Sequence, residues 1–576
     1  MKYLLVAVNA KYIHSNPAVY SLRAYAGEKY GEHIELAEYT INQRTEDILA
    51  DIYQRKPDAI GFSCYIWNIR MIRELLAELP KVLEHTELWL GGPEVSYDAP
   101  GMLIQFPHLK GIIVGEGEAT FRELMAYYVE GDRSLSEIAG LYLPEGFTPM
   151  RPLLSMDELP FLYGDLEQFQ NRIIYYESAR GCPYSCSYCL SSIDKRVRLR
   201  SVELVQKELQ FFLDKKVPQV KFVDRTFNCV HEHAMAIWKY ISEHDNGVTN
   251  FHFEISADIL RPEEIALLNQ MRPGLVQLEI GVQSTNPDTI SAIDRVMNVE
   301  RLEQIVASIR RGKNIHQHLD LIAGLPGEDY NSFRNSFDRV YGMKPDQLQL
   351  GFLKVLKGSP MEERAGDYEL VYTSQPPYEV LKTKWLSYEE VLRLKQVEEM
   401  VELYYNSNQF RYTLAVLEKD FPEPFAMFEQ MAAYYREKGY FLNSPARAYR
   451  YQVLYDFALS VSPGRKELYR ELLVFDLYLR EKVKSRPEFA GEIGEDEKEY
   501  QRAFYLQEEK EHRYLKGYEE YDHRQLAKMT HLEHFTYPVW DPEAAGKGVR
   551  TSGSVLFDYR NRDALTYDAA FWLLED

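Results

Sequence analysis

Positive charge is scarce in this chain of 576 residues. Lysine and arginine together number 67 against 88 aspartates and glutamates, and the formal net charge is −21. Nonspecific binding to nucleic acids depends on neutralising phosphates with lysine and arginine. The charge balance therefore argues against a general polyanion binder, although it leaves room for a local basic patch.

Long hydrophobic runs are absent from the N-terminal region. The first eight residues are largely apolar, but Asn9 and Lys11 interrupt them too early for a signal-peptide core or a membrane span. The run therefore predicts a buried strand, and we expect no membrane attachment. Because the clustered thiols described next must stay reduced, we expect a cytoplasmic protein.

Cysteine is rare, yet three of the five cysteines, Cys182, Cys186 and Cys189, follow the spacing Cys-x3-Cys-x2-Cys. Three thiolates on one tight loop cannot pair without leaving one over, but they can surround a soft metal centre such as an iron–sulfur cluster. A four-iron cluster held by three ligands keeps one iron open for a substrate or cofactor, as catalytic metal sites do. A zinc site or accidental burial is disfavoured, because no second Cys/His pair has finger-like spacing. We interpret Cys229 as a buried apolar residue, since a fourth thiolate would close the cluster.

This cysteine motif resembles that of the radical S-adenosylmethionine superfamily. The resemblance implies a [4Fe-4S] cluster on the three cysteines, with S-adenosylmethionine bound to the free iron. A tRNA methylthiotransferase is disfavoured, because neither a second, N-terminal cysteine triad nor an obvious basic tail is present.

Before the cysteine motif, apolar strand patterns alternate with amphipathic helical patterns. The strand patterns lie at residues 3–8, 34–39, 59–64, 87–90 and 111–114. This alternation predicts a doubly wound parallel sheet whose ligands bind at the carboxyl ends of the strands. No Gly-x-Gly-x-x-Gly follows the first strand, so a dinucleotide-binding domain is disfavoured.

The loops after these strands are small, glycine-rich or aromatic, as close approach to a large flat ligand requires. The motifs Ser-x-Tyr-x-Trp-Asn, Gly-Gly-Pro-Glu and Gly-Glu-Gly-Glu resemble the cobalamin-binding domain of cobalamin-dependent radical S-adenosylmethionine enzymes. The resemblance implies cobalamin as a cofactor. The contact residues implied in these loops are Asn9, Tyr12, His14, Ser63, Tyr65, Trp67, Asn68, Gly91, Gly92, Pro93, Glu94, Gly115, Glu116 and Gly117.

His14 lacks the Asp-x-His-x-x-Gly context through which other cobalamin domains ligate cobalt. Members of the resembled class generally lack it too, so we expect the loop containing Trp67 to lie below the corrin. The alternatives are a core aromatic residue for Trp67 and a polar residue at a helix entry for His14.

Six further strand patterns, at residues 172–177, 219–223, 251–255, 275–280, 318–322 and 347–352, predict a partial (β/α)6 barrel with its chemistry at the strand ends. The resemblance implies that these ends bind S-adenosylmethionine. Each of the polar residues at these strand ends could instead cap a helix or form a hydrogen bond within a loop. Asp224 stands where the family usually has a Gly-Gly-Glu-like motif, so its contact is left open. The implied contacts are Tyr188, Asp224, Arg225, Glu254, Gln283, Ser284 and Gly324.

Helical periodicity dominates the last third of the chain, where the acidic residues 491–499 predict a solvated loop. His531, Glu533 and His534 could suggest a metal site, but no ligand set completes it, so we prefer surface or capping roles. This segment resembles a C-terminal domain of unassigned function in one group of cobalamin-dependent radical enzymes. We expect it to cover the substrate.

The predicted fold class is therefore α/β, in three segments. Residues 1–147 form a Rossmann-like, doubly wound parallel sheet that binds cobalamin. Residues 148–370 form a linker and the partial barrel, and residues 371–576 form a mainly helical domain.

The resemblance implies reductive cleavage of S-adenosylmethionine to a 5′-deoxyadenosyl radical, followed by methylation of an unactivated carbon. The alternatives are a cobalamin-assisted rearrangement, cyclisation or ring modification without methyl transfer, and a cobalamin sensor with a structural cluster. We expect a small-molecule or peptide substrate rather than nucleic acid, an external electron donor such as flavodoxin or ferredoxin, and a monomer. The sequence assigns no catalytic residue.

Overall fold

The computed structural model describes residues 1–131 and 133–574. The chain divides into two compact units. The first unit comprises Met1–Ile315, Ile322–Asp329 and Gly351–Ser387. The second comprises His316–Leu321, Tyr330–Leu350 and Tyr388–Asp576.

The first sheet of the first unit begins with five parallel strands and ends with an antiparallel pair. All seven residues of the first strand are buried, as is typical of a parallel strand covered on both faces. The strands are β1 Tyr3–Asn9, β2 Ile34–Thr40, β3 Ala59–Ser63, β4 Glu87–Gly91, β5 Leu109–Ile113, β6 Leu141–Leu143 and β7 Gly146–Phe147. Their order is β2-β1-β3-β4-β5-β6-β7.

Amphipathic helices cover this sheet. The longest of them buries Ile69, Ile72, Leu76 and Leu79 against the sheet, at the three- and four-residue spacing of one helical face. The helices are α1 Pro17–Ala26, α2 Glu28–Gly31, α3 Thr45–Arg55, α4 Ile69–Val82, α5 Pro93–Ser96, α6 Ala99–Gln105 and α7 Glu118–Glu130.

The second sheet carries the cysteine motif at its first strand. Within the first unit, its parallel strands have the order β13-β12-β11-β8. The strands of this region are β8 Ile174–Tyr176, β9 Ala179–Arg180, β10 Arg198–Leu199, β11 Gln219–Phe222, β12 Asn250–Ile255, β13 Val276–Gln283, β14 His316–Ala323, β15 Gln347–Phe352, β16 Val371–Tyr372 and β17 Val380–Lys382.

Helices separate most of these strands, as the predicted β/α alternation requires. They are α8 Val202–Asp214, α9 His231–Glu243, α10 Pro262–Leu268, α11 Pro287–Ala292, α12 Val299–Gly312, α13 Tyr330–Gly342 and α14 Pro360–Glu363. Strands β14 and β15 each cross from the second unit into the first. Their carboxyl ends meet in the first unit, where the N–H of Leu353 donates to the carbonyl of Ala323 at 2.9 Å.

The second unit is mainly helical and also contains an antiparallel sheet of order β18-β19-β20. Its further elements are α15 Tyr388–Met400, α16 Arg411–Leu417, α17 Pro424–Glu437, α18 Tyr449–Val461, α19 Lys466–Arg480, α20 Glu495–Glu511, α21 His523–Met529, α22 Pro542–Gly546, β18 Thr530–Phe535, β19 Gly553–Arg562 and β20 Ala569–Leu573. The predicted loop at 491–499 is wrong from Glu495 onward, because acidic residues there begin α20, where the helix dipole favours them.

No helix in the described part of the chain is both long enough and apolar enough to cross a membrane.

Candidate functional site

The cysteine loop follows the first strand of the second sheet. Gly181 allows it to turn with a φ of +95°, and a side chain there would place Cβ 2.0 Å from the carbonyl oxygen of Arg196. The N–H of Cys182 donates to the carbonyl of Asp194 at 3.4 Å. The hydroxyl of Ser192 lies 2.9 Å and 2.6 Å from the carbonyls of the second and third cysteines. The loop is therefore held by its own backbone.

All three cysteines are free, and two of them are buried. The Sγ of Cys182 lies 3.6 Å from Oγ1 of Thr226 at the end of β11. Among the described residues, no three His, Cys, Asp or Glu side chains converge on one metal ion. An iron–sulfur cluster gives each thiolate its own iron, so its three ligands need not converge on a single ion. The donor set therefore fits a cluster with three protein ligands.

Cys229 lies near the loop but is unsuited to be a fourth ligand. Burial, with the nearby Cys182 and Asp224 as further causes, raises the pKa of its thiol to about 11. Its thiol therefore stays protonated near neutral pH, but the residue is half-buried rather than buried as predicted.

Arg295 is the residue of this site that sequence reasoning missed. Its guanidinium lies between the cysteine loop and β13, within hydrogen-bond distance of Cys186 and Tyr188. No spacing signal marks it, because only the return of the chain after β13 brings it to the loop. Tyr188 itself packs on the apolar cluster that includes Leu325 and Leu353.

Two predicted S-adenosylmethionine contacts follow β11. One of them is buried and the other is exposed. Asp224 is buried and accepts hydrogen bonds from the N–H groups of Ser178 at 2.8 Å and Ala179 at 3.1 Å. Burial raises the pKa of its carboxyl to about 7, and these bonds oppose the rise. Arg225 is exposed and makes no ion pair among the described residues. Asp224 therefore supports the start of the cysteine loop, whereas Arg225 is free to meet an anionic ligand.

The other predicted contacts lie at neighbouring strand ends. Glu254 is half-buried on β12. Gln283 has a φ of +70° at the end of β13, and the hydroxyl of Ser284 donates to Glu328 at 2.7 Å. Gly324 has a φ of +87° after β14, where a Cβ would lie 2.7 Å from Val380. The structure thus brings this set to one edge of the sheet.

The loop after β3 presents aromatic rings. Tyr65 and Trp67 stack with ring centroids 4.3 Å apart and planes 7° from parallel. The indole N–H of Trp67 donates to the carbonyl of Val8 at 3.2 Å, yet 43% of this residue is exposed. Asn68 holds the turn by donating to the carbonyls of Val8 at 3.0 Å and Ser63 at 2.8 Å. A fixed ring pair whose outer ring, that of Trp67, is exposed fits a large flat ligand.

The loop after β1 is instead engaged with the second sheet. His14 lies on the end of β8, with its Nδ1 2.5 Å from the hydroxyl of Tyr175. The N–H of Ile173 donates to the carbonyl of Ile13 at 2.8 Å, which extends the edge of that sheet. Tyr12 lies under the guanidinium of Arg172 at 5.3 Å.

Asn9, also in this loop, donates to Glu38 at 3.0 Å and to the carbonyl of His14 at 3.1 Å. The structure therefore gives Asn9, Tyr12 and His14 partners within the protein, and their predicted contact with cobalamin is untested.

The Gly-Gly-Pro-Glu loop, which starts at Gly91 and includes Pro93, depends on Gly92. This residue has a φ of +110°, and a Cβ there would lie 2.5 Å from the carbonyl oxygen of Cys64. Glu94 is buried and accepts a hydrogen bond from the hydroxyl of Tyr378. Burial raises the pKa of Glu94, and the bond to Tyr378 opposes this rise.

The Gly-Glu-Gly-Glu loop contains two glycines and two carboxylates. Gly115 has a φ of +80°, with no atom near the site of a Cβ, and Gly117 packs on Leu22. The carboxylates serve an ion-pair network. Glu116 pairs with Arg198 and lies 3.5 Å from Arg180, which also pairs with Glu118 at 2.6 Å and Glu177 at 3.0 Å.

Charged residues of the second set of strand-end loops act on Tyr65 of the first set. Burial is the main cause that raises the pKa of its hydroxyl. The hydrogen bond with Ser63 and the charge of Arg225 lower this pKa, and the charge of Glu177 raises it. The charges of Arg225, which follows β11, and of Glu177, at the start of the cysteine loop, therefore act on the aromatic loop of the first sheet.

Comparison with protein families agrees with this arrangement. Residues 3–125 match the B12 binding domain, and residues 176–340 match the radical SAM superfamily. The chain carries a B12-binding domain followed by a radical SAM domain. The predicted resemblance to cobalamin-dependent radical SAM enzymes is therefore confirmed, and the two models agree with the predicted cofactors. Residues 366–557 match a third model, described as a protein of unknown function, DUF4080.

Two relatives match part of this B12-binding radical SAM chain. The 2-(S-pantetheinyl)-carbapenam-3-carboxylate methyltransferase of Streptantibioticus cattleyicolor is 28% identical over 306 residues, which are 48% of this chain and 44% of the relative. The cobalamin-dependent radical SAM methyltransferase TokK of Streptomyces tokunonensis is 27% identical over 334 residues, covering 53% and 48%. The chain thus spans about half the length of the curated relatives it matches.

A solved structure shares the fold over most of the chain. The cobalamin-dependent S-adenosylmethionine radical enzyme OxsB, with aqua-cobalamin and S-adenosylmethionine bound, matches with a TM-score of 0.57 and 14% identity. The match covers 84% of this chain and 82% of OxsB. The predicted fold class is therefore confirmed, whereas the contacts of individual residues stay predictions.

Proposed function

We propose that this protein is a cobalamin-dependent radical SAM methyltransferase that methylates an unactivated carbon of a small molecule or peptide. The observation that carries the proposal is the link between the two loop sets, in which Arg180 at the cysteine loop pairs with Glu118 of the first sheet at 2.6 Å. The charge of Arg225 also acts on Tyr65. A corrin held on the ring pair of Tyr65 and Trp67 would face a ligand of Arg225 and the cysteine loop. Both relatives described above are named methyltransferases, which supports methyl transfer.

The roles of the chain's own residues follow from this geometry. Cys182, Cys186 and Cys189 would hold the cluster, and Trp67 would support the corrin from below. Arg225 would bind the carboxylate of S-adenosylmethionine, because it is exposed and lacks an ion-pair partner. When bound, the three groups would supply an electron, a hydrogen-abstracting radical and a methyl donor.

The test is incubation of the reconstituted, reduced protein with cobalamin and S-adenosylmethionine. We expect two products, 5′-deoxyadenosine and S-adenosylhomocysteine, because radical formation and methyl transfer each consume one molecule of S-adenosylmethionine. The matched control is Cys229→Ala, which alters a cysteine outside the ligand set and should keep both products.

Each product decides a different part of the proposal. Absence of 5′-deoxyadenosine with every substrate tried would refute a radical enzyme and favour a cobalamin sensor with a structural cluster. Formation of 5′-deoxyadenosine without S-adenosylhomocysteine would instead support a rearrangement, cyclisation or ring modification.

The proposal extends to the surroundings of the enzyme. It includes an external electron donor such as flavodoxin or ferredoxin, a monomeric chain, a cytoplasmic location, and a substrate-covering role for residues 371–576. The clustered free cysteines support a reducing compartment, since disulfides form and persist in oxidising compartments.

A further inference from the structure

Arg295 directs its guanidinium at one of the three proposed cluster ligands. Its Nη1 donates to the Sγ of Cys186 at 3.7 Å and to the hydroxyl of Tyr188 at 3.3 Å. Its Nη2 donates to the carbonyl of Gly281 on β13. Both terminal nitrogens of the guanidinium are therefore held, Nη1 by the cysteine loop and Nη2 by the sheet.

The cysteine loop and the segment that carries Arg295 are also joined through their backbones. The N–H of Ser187, next to Cys186, donates to the carbonyl of Ile293 at 3.0 Å. The carbonyl of Gly281 on β13 accepts a hydrogen bond from the same guanidinium. The contact between Arg295 and Cys186 is thus supported by two elements and does not depend on a single side-chain rotamer.

The charge of Arg295 has no carboxylate within ion-pair distance among the described residues. Of the two side chains that it contacts, Tyr188 carries a phenol, which is ordinarily neutral near pH 7. Cys186 becomes an anion when it binds iron. The thiolate of Cys186 is therefore the counter-charge that this guanidinium would contact directly in the loaded protein, while the charge of Asp258 acts on it without an ion pair.

We propose that Arg295 is a positioning residue that raises the reduction potential of the cluster through its charge and its hydrogen bond to Cys186. The inference rests on the proposed cluster. Reduction adds one negative charge to the cluster, and a fixed positive charge and an N–H···S bond both stabilise the reduced form. Arg295 would thus make the electron transfer that starts the reaction more favourable.

The test is a redox titration of the reconstituted full-length protein, followed by the electron paramagnetic resonance of the reduced cluster. In Arg295→Gln, we expect the equilibrium to shift about tenfold toward the oxidised cluster, which is 59 mV for a one-electron couple. Arg295→Lys keeps the charge and should recover most of this difference. Arg196→Gln removes an exposed arginine near the loop and should leave the potential unchanged.

An Arg295→Gln protein with full iron content and the wild-type potential would overturn the inference. Should this variant fail to bind iron, the reduction potential of Arg295→His is measured at several pH values. The imidazole of this variant is charged at low pH and neutral at high pH. Its potential must then fall with rising pH more steeply than that of the wild type, and parallel curves would overturn the inference. If Arg295→Lys is the only one of these three variants that binds iron, the role of Arg295 is structural. That result would also overturn the inference.

The titration separates this inference from the proposed function. It needs a bound cluster but no cleavage of S-adenosylmethionine. A lowered potential in Arg295→Gln without any 5′-deoxyadenosine from the wild type would refute only the proposed function. Product formation with an unchanged potential would refute only the role of Arg295.

Discussion

The cysteine loop and the loops of the first sheet differ in how their candidate ligand contacts are distributed along the chain. In the cysteine loop, all three proposed ligands come from eight consecutive residues. In the first sheet, the candidate contacts come from four loops between Asn9 and Gly117. The first site can therefore be recognised from one local motif, whereas the second forms only when the fold brings several strand ends together.

The loops of the first sheet also differ among themselves. The loop after β3 leaves the ring of Trp67 exposed, whereas His14 after β1 is bound to Tyr175 and Glu116 after β5 is paired with Arg198. A strand end thus identifies a candidate site, but the packing of the second sheet decides which side chains stay available for a ligand. Four experiments test this difference.

Replacement of Cys186 by alanine should have the largest effect. Cys186→Ala removes one of three ligands, so we expect loss of nearly all the brown absorbance and iron of the cluster, while cobalamin still binds. Absorbance spectra of the two cofactors measure both effects. Cys229→Ala is the matched control and should keep the cluster. A full cluster spectrum in Cys186→Ala would contradict the assigned ligand set.

Replacement of Glu116 tests whether the Gly-Glu-Gly-Glu loop serves the ion-pair network. Glu116→Ala leaves the guanidinium of Arg198 without its carboxylate, so we expect the free energy of unfolding to fall by about 2 kcal/mol. Chemical denaturation measures this change. Glu46→Ala, which breaks an exposed pair with Arg44, is the control and should have little effect. Unchanged stability together with weaker cobalamin binding would show that Glu116 contacts the ligand instead.

Replacement of Trp67 tests the exposed ring pair. Trp67→Ala removes an aromatic surface from the proposed lower face of the corrin, so we expect the Kd for cobalamin to rise about tenfold, or about 1.4 kcal/mol. Titration followed by cobalamin absorbance provides the measurement. Tyr12→Ala removes an exposed ring from the loop after β1 and should leave the Kd unchanged. Equal losses in both variants would remove the distinction between the two loops.

Replacement of His14 should have the smallest effect. His14→Ala removes the hydrogen bond to Tyr175, so we expect the free energy of unfolding to fall by about 1 kcal/mol. Because no cobalt ligand is lost, the spectrum of bound cobalamin should not change. Tyr175→Phe removes the same bond from the other side and should match it. A shifted cobalamin spectrum in His14→Ala alone would assign the histidine to cobalt.

Local patterns predicted the parallel strands and the cysteine loop well. The strand of residues 59–64, for example, is found at Ala59–Ser63, because a continuous apolar run bounded by turn residues has few other folded solutions. The same reasoning missed the β6–β7 pair and the strands β18 and β20 of the C-terminal sheet. Their strands are short or partly polar, and the pairing partners rather than the local composition decide them.

The sequence by itself determined the ligand chemistry and the order of the domains. Thiolates at Cys182, Cys186 and Cys189 need no distant residue to form a three-ligand site, and the apolar periodicity of each strand is a local property. Only the tertiary structure decided that Arg295 lies on Cys186, that the charge of Arg225 acts on Tyr65 and that His14 is bound to Tyr175. These contacts join residues more than a hundred positions apart. No local pattern encodes them, because the packing of whole sheets fixes such distances.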